Sequence, residues 1–231
     1  MCCVKTRSNT HKTHKFRGQS MPKITMYLDF ISPYAYLAFK EIDKGLNKRI
    51  DVTYKPILFG GILKHYGQLG PAEIPHRREW TFLQALWQGK EAEIPIQLPK
   101  SHPFNPLALL RLAIAENASG NPSQETCNKI FEFVWNRGID VTDENEFSSV
   151  KNSITLEREI NDPLVKEQLK RNTEEAIANH VYGVPSFHYN NKIFWGNDSL
   201  KMLEEYIDGD PWIDENWSKP DAVTVGIKRN V

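Results

Sequence analysis

Residues 28–39 read LDFISPYAYLAF, and the change of character at Ser32-Pro33 decides the fold. The stretch ahead of it, Ile24 to Phe30, is apolar, aromatic and β-branched, which suits a buried strand. The stretch after it, AYLAFKEIDKGL, has helical character and is closed by Gly45. A strand that turns straight into a helix leaves backbone N–H groups and the positive end of the helix dipole at the corner, where Ser32 sits. A second extended segment, DVTYKPIL (51–58), follows the helix, so the order predicts a right-handed parallel βαβ unit.

From Gly60 to about His180 the pattern is helical. Trp80, Leu83, Leu86 and Trp87 recur at helical spacing within 75–90, which predicts a stripe buried in a core. Asn105-Pro106 reads as an N-cap with proline at the first helical position, and Asp162-Pro163 repeats that signature. Residues 122–136 carry Ile130, Phe131, Val134 and Trp135, with Gly138 as a stop. Strands return at Val184 as PSFHYNN and KIFWG, with Asn190-Asn191 as the turn between them. A last helix opens at Asn197-Asp198 and stops at Gly209. This order predicts an α/β chain, a thioredoxin-like sheet split by a large all-helical insertion. Residues 21–59 and 181–212 form the discontinuous thioredoxin-like domain, 60–180 the insertion, 1–20 a disordered basic tail and 213–231 a C-terminal tail.

Composition narrows the function classes. The 231 residues carry no formal net charge, so no global field favours nucleic acid or an anionic membrane. No apolar run approaches the roughly 20 residues that span a bilayer. Cys2, Cys3 and Cys127 form no CxxC pair, which argues against a disulfide framework or a zinc ribbon and for a reducing compartment, the cytoplasm. Residues 1–20 hold Lys5, Arg7, Lys12, Lys15 and Arg17 and no acid. His11 and His14 in that tail have a spacing that allows a metal, but two isolated histidines seldom hold one, and no metal site is expected.

Four motifs then line up: FISPYAYLA (30–38), HPFNPL (102–107), GVPS (183–186) and FWGND (194–198). Together they resemble the 2-hydroxychromene-2-carboxylate isomerase family and its relatives the kappa-class glutathione transferases, both on the DsbA-like branch of the thioredoxin superfamily. The resemblance spans residues 23–210. Where the parent fold carries a reactive cysteine, this chain has Ser32, and Ala35 stands at the second cysteine position. The resemblance implies that the sulfur arrives on glutathione. A free thiol with pKa about 8.5 is only a few per cent ionised near neutrality. One hydrogen bond to a charged group contributes about 1.5–3 kcal/mol, enough to lower a thiol pKa by roughly one to two units. Ser32 as a donor to the glutathione thiolate therefore suffices, whereas a serine nucleophile would need an adjacent base.

The same resemblance assigns the remaining contacts. Val184-Pro185 corresponds to the cis-proline loop, whose backbone at Val184 pairs with the tripeptide. Trp195 and Gly196 shape the wall. Asn197 and Asp198 open the last helix, where amides meet the glutamyl carboxylate and Asp198 meets the ammonium. Lys64 and His102 are substrate-side candidates, with Asn105 as a weaker one, and Arg77 resembles a basic position that the transferases use for glutathione. Ser199 replaces the arginine usual after WGND, and Gln68 stands where asparagine is common. The implied reaction interconverts 2-hydroxychromene-2-carboxylate and trans-o-hydroxybenzylidenepyruvate, as in bacterial breakdown of naphthalene-like aromatics, and relatives are commonly homodimers. A kappa-type transferase is the runner-up, and the WGND spelling leans towards the isomerases. A disulfide oxidoreductase lacks its redox pair here. A non-catalytic glutathione-binding module is a further alternative, against which an intact Ser32 argues.

Overall fold

The computed structural model describes residues 20–226. The basic tail with Cys2, Cys3, His11 and His14, and the end of the C-terminal tail, lie outside the described residues. Strand β1 (Lys23–Leu28) is followed by helix α1 (Pro33–Asp43) and strand β2 (Asp51–Pro56), and β1 pairs with β2 in parallel. Six helices then intervene: α2 (Phe59–Tyr66), α3 (Arg77–Glu91), α4 (Leu107–Ala115), α5 (Gln124–Phe131), α6 (Glu144–Asn152) and α7 (Pro163–Ala178). The hairpin β3 (Ser186–Tyr189) and β4 (Lys192–Trp195) completes a mixed sheet of order β2-β1-β3-β4. Helix α8 (Leu200–Ile207) follows, and a short helix α9 (Trp212–Asn216) lies beyond it in the segment read as a tail. This is the thioredoxin-like fold with a helical block between its halves.

The sheet buries both faces of β1, as a central strand must. Ile24, Met26 and Leu28 join the larger core with residues of α1, α4, α5 and α8. Tyr27, pointing the other way, joins a smaller core with Ile62 of α2 and Ala176 of α7. Asn190 and Asn191 both take left-handed backbone angles (φ 48° and 59°), which is what a two-residue hairpin turn asks of its central pair. Asp162 caps α7 as its spacing predicts, accepting from Leu164 N at 2.8 Å. At α4 the helix proper starts one residue later than the cap signature implied, yet Asn105 Oδ1 still accepts from Leu107 N at 3.1 Å. Residues 132–136 continue α5 with a wider turn that carries the fully buried Trp135.

One expectation is overturned. Trp80, Leu83, Leu86 and Trp87 of α3 are exposed (63, 59, 36 and 56%) rather than buried. The helix instead buries Thr81, Ala85 and Gly89, small residues at i, i+4 and i+8. At Gly89 a side chain would meet Ile96 and the Ile94 carbonyl, so the close approach needs glycine. Large residues cannot occupy that face, and they are left on the outer one. Replacing Leu83 by Gln is therefore expected to change stability by less than about 0.5 kcal/mol, as at other surface positions. Leu112→Ala, at a fully buried position of α4, is expected to cost about 2–5 kcal/mol. Urea unfolding of the two variants measures both.

Candidate active site at the head of the first helix

The chain between β1 and α1 is a four-residue corner in which each residue is held. Asp29, fully buried, accepts Ile31 N on Oδ1 at 3.1 Å and Phe59 N on Oδ2 at 2.9 Å. The indole Nε1 of Trp135 donates to Phe30 O at 2.8 Å. His102 Nε2 lies 2.9 Å from Ile31 O, so that nitrogen carries the proton. Ser32 N donates to Asp29 O at 3.1 Å and closes the turn.

Ser32 is the N-cap of α1, with extended backbone angles and Pro33 at the first helical position. Its Oγ accepts from Ala35 N at 3.2 Å and donates to Val184 O at 3.3 Å. The serine thus caps the helix, and the same hydroxyl also reaches the loop between α7 and β3. The Val184–Pro185 peptide there is cis, as expected. The donor bond to Val184 O is long and therefore weak, so an anion arriving at the corner competes well for that proton. Ser32 is nearly buried (7% exposed).

The remaining motif residues converge on this loop. Pro185 O accepts from Gly196 N at 2.9 Å, and Ser186 pairs with Trp195 in the hairpin register. Trp195 is half exposed, stacks edge-on with Tyr182 at 4.9 Å, and lies so close over Gly183 that no side chain fits there. Gly196 takes φ 92°, a conformation natural to glycine, and the Asp198 carboxyl folds back over it. The last helix opens as a short tight turn, Asn197–Ser199, before α8. Gly196 takes the cap position, and neither the Asn197 nor the Asp198 side chain caps the turn. Asn197 Nδ2 instead donates to Gln88 Oε1 of α3 at 3.1 Å, and Asp198 is exposed. Ser199, at the departure from the family pattern, donates to Gly196 O at 2.7 Å and tightens the turn. Gln68 follows the left-handed Gly67 that ends α2.

Tyr34 ties the wall to the corner, donating to Gln84 Oε1 of α3 at 2.9 Å. Burial pushes its phenol up, the Asp198 charge pushes the same way, and Arg77 opposes them, so these three groups share one neighbourhood. A surface depression of about 550 Å³ opens beside Asn197 and Asp198, walled by Trp87, Gln88, Glu91, Lys201 and Glu204. Another, of about 580 Å³, lies by Lys23 and Asp51 at the start of the parallel strands, the opposite end from Ser32.

The two substrate-side candidates fare differently. His102 packs among Phe82, Phe104 and Trp135 and reaches the corner through Ile31 O; burial lowers its pKa, which keeps the ring neutral. Lys64 is exposed near the end of α2, and no hydrogen bond or ion pair among the described residues joins it to the Ser32 cluster. The sequence reading names neither Asp29 nor Gln88, and it names Trp135 only within a core stripe, where the structure does bury it. An acid inside the apolar run YLDFI is a readable signal for the first; the contacts of the other two come from remote segments and leave none.

Comparison with known proteins now bears on this geometry. A family model described as a DSBA-like thioredoxin domain matches residues 23–208. The chain belongs to that family. Among its relatives, a 2-hydroxychromene-2-carboxylate isomerase of Sphingobium xenophagum is 26% identical over 194 residues, 80% of this chain and 97% of that one. Glutathione S-transferase kappa 1 of Homo sapiens is 25% identical over 209 residues, covering 82% of this chain and 92% of its own. In three dimensions a solved 2-hydroxychromene-2-carboxylate isomerase superposes with a TM-score of 0.70 at 20% identity, covering 87% of this chain and all of that one. Among the described residues no group of three or more His, Cys, Asp or Glu gathers as for a metal ion, and no helix is long and apolar enough to cross a membrane.

The buried Asp29 makes a DSBA-like chain of this kind sensitive to pH. Burial raises its pKa to about 7, against the pull of the two amides it accepts from. A group raised in the folded state contributes stability fully below its unfolded value, near 3.9 for Asp, and loses that contribution as pH rises through the folded value. The wild type is therefore expected to lose stability relative to Asp29→Asn between about pH 4 and pH 7. Urea midpoints of both proteins across that range measure it.

Proposed function

We propose that the chain is a glutathione-dependent isomerase of the 2-hydroxychromene-2-carboxylate type, with Ser32 holding the glutathione sulfur as thiolate. The observation that carries this reading is the Ser32 hydroxyl itself, fixed at the head of α1 and donating weakly to the cis-proline loop. In this reading glutathione lies along that loop. Its backbone pairs with Val184 beside Pro185, and its sulfur takes over the Ser32 proton from Val184 O. Its glutamyl end reaches the Asn197–Asp198 turn, where the Asp198 carboxylate meets the ammonium and Trp195 and Gly196 form the wall.

With the cyclic hemiketal opened to the unsaturated keto acid, the thiolate adds to the carbon β to the ketone, the double-bond electron pair moves to the carbonyl oxygen as an enolate, and the carbon–carbon double bond becomes single. Rotation about it follows, and the thiolate leaves as the double bond re-forms. Glutathione is regenerated, so no electrons are exchanged overall. Ser32 acts at the first and last steps, where negative charge sits on sulfur, and such charge-assisted bonds are the strong ones. Lys64 is the candidate for the substrate carboxylate, and His102, with Nε2 engaged at Ile31 O, contributes its ring to the wall. The homodimer, the cytoplasmic setting and a role in aromatic hydrocarbon catabolism belong to the same reading.

A kappa-type glutathione transferase is the second reading, favoured by the near-equal identity of the two relatives. It uses the same corner but keeps the sulfur–carbon bond. Incubating the protein and glutathione with a hydroxychromene carboxylate and, separately, with chloro-dinitrobenzene separates them. Isomerisation without net glutathione consumption supports the first, and stoichiometric conjugation supports the second.

Ser32→Ala is expected to raise the pKa of bound glutathione by roughly one to two units, the loss of one hydrogen bond to a charged group. Ultraviolet titration of the bound thiolate measures it. An unchanged titration would remove Ser32 from its role. Lys64→Ala is expected to raise KM for the carboxylate substrate several-fold, as for loss of one exposed or half-exposed ion pair, while leaving the glutathione KM in place.

A further inference from the structure

One side chain hydrogen-bonds both to the Ser32 corner and to helix α2. Asp29 Oδ1 serves the local turn through Ile31 N, and Oδ2 reaches 30 residues along the chain to Phe59 N, the first residue of α2. Its own carbonyl accepts Ser32 N. Both ends of the carboxylate and the backbone of the same residue are therefore committed to one arrangement. The amides of a helix's first turn need acceptors from outside the helix. In α2 the cap position is Leu58, whose side chain offers none. Its own N–H is accepted by Thr173 Oγ1 at 3.0 Å, and the next by Asp29.

We propose that Asp29 is a positioning residue that couples the Ser32 corner to the first turn of α2, setting the aim of the Ser32 hydroxyl and holding the helix that carries Lys64 in register with it. The proposal rests on the glutathione reading above for its catalytic consequence, though not for its geometry. The ionised side chain, reached as pH passes its pKa of about 7, suits this role because it accepts two N–H donors on opposite oxygens with no donor of its own; an amide must present its own N–H to one of them. Full burial excludes water from replacing either bond, so the two elements cannot drift apart cheaply.

Thr173 supplies the control. It also satisfies an amide at the start of α2, that of the cap residue Leu58, from another element, yet among the described residues it makes no hydrogen bond to the corner. A merely structural role for Asp29 predicts that Asp29→Asn and Thr173→Val behave alike. Coupling predicts that they differ. A second variant breaks the same hydrogen bond from its other end. Phe59→Pro removes the donated N–H at a first helical position, where proline fits, and Leu58 ahead of it is already extended (φ −84°, ψ 101°).

In the full chain, Asp29→Asn and Phe59→Pro are both expected to raise the pKa of bound glutathione by about one unit and to lower kcat roughly tenfold, with KM for glutathione changed less than about twofold. Thr173→Val is expected to leave the thiol pKa and kcat unchanged. If Asp29→Asn and Phe59→Pro move the thiol pKa no more than Thr173→Val does, the coupling is overturned. Amide hydrogen exchange reads the coupling without glutathione. Ile31 and Ser32 should exchange faster in both coupling variants and at the wild-type rate in Thr173→Val. Should the wild type fail to bind glutathione, the functional reading falls while exchange still decides the coupling, and unchanged exchange at Ile31 and Ser32 would overturn it. Should one coupling variant not fold, the other carries the test.

Discussion

The hydroxyl of Ser32 bridges two parts of the chain that the helical insertion keeps far apart in sequence. It caps α1 locally through Ala35 N and meets the carbonyl of Val184 across 152 residues. The hydrogen bonds of the site radiate from that contact. The cis-proline loop presents its backbone to the corner, β3 continues from the loop into the hairpin, and the hairpin delivers the Gly196–Asp198 turn beside Tyr34. A hydroxyl is suited to such a junction because it accepts and donates at once, and because its proton can be handed to a better acceptor without moving the oxygen. The corner beneath it is held by Asp29, Trp135 and His102, from the corner itself, from the wide turn after α5 and from the loop before α4.

Much of this frame was legible because it is local. A serine before a proline at the end of an apolar strand, two asparagines between strands and an Asp-Pro before a long helix each determine backbone geometry within a few residues, and each lies where its chemistry demands. The motif residues Ser32, Val184, Pro185, Gly196 and Asn197 also come together as their order along a thioredoxin-like chain implies. What could not be read was pairing at a distance. Asn197 finds Gln88, and Trp135 finds the carbonyl of Phe30, through packing that no spacing encodes. The stripe on α3 illustrates the converse. Periodicity reports that Trp80, Leu83 and Trp87 share a face, but not that the small residues Thr81, Ala85 and Gly89 take the buried one.

The division between isomerase and transferase chemistry lies outside this frame. Both need the thiolate and the same grip on the tripeptide, and they differ in whether the adduct is released by reversal. In the proposed reading the wall facing the glutathione sulfur belongs to the insertion. In this chain α3 contributes Gln84 and Gln88 towards Tyr34 and Asn197, one helical turn apart and therefore on one side of the helix. The wall is thus fastened by polar contacts to the motif residues, while Lys64 stands on a different helix.

The long separation between Ser32 and Val184 has a consequence for synthesis. A ribosome adding roughly 5–20 residues per second needs on the order of 10–30 seconds to pass from one to the other. Throughout that interval the nascent corner has its cap but not its carbonyl, and the sheet has only its two parallel strands. Assembly of the pocket is therefore a late event. A chain released early, however well its first helix has formed, leaves the translation machinery without the carbonyl that meets Ser32 and with half of its sheet.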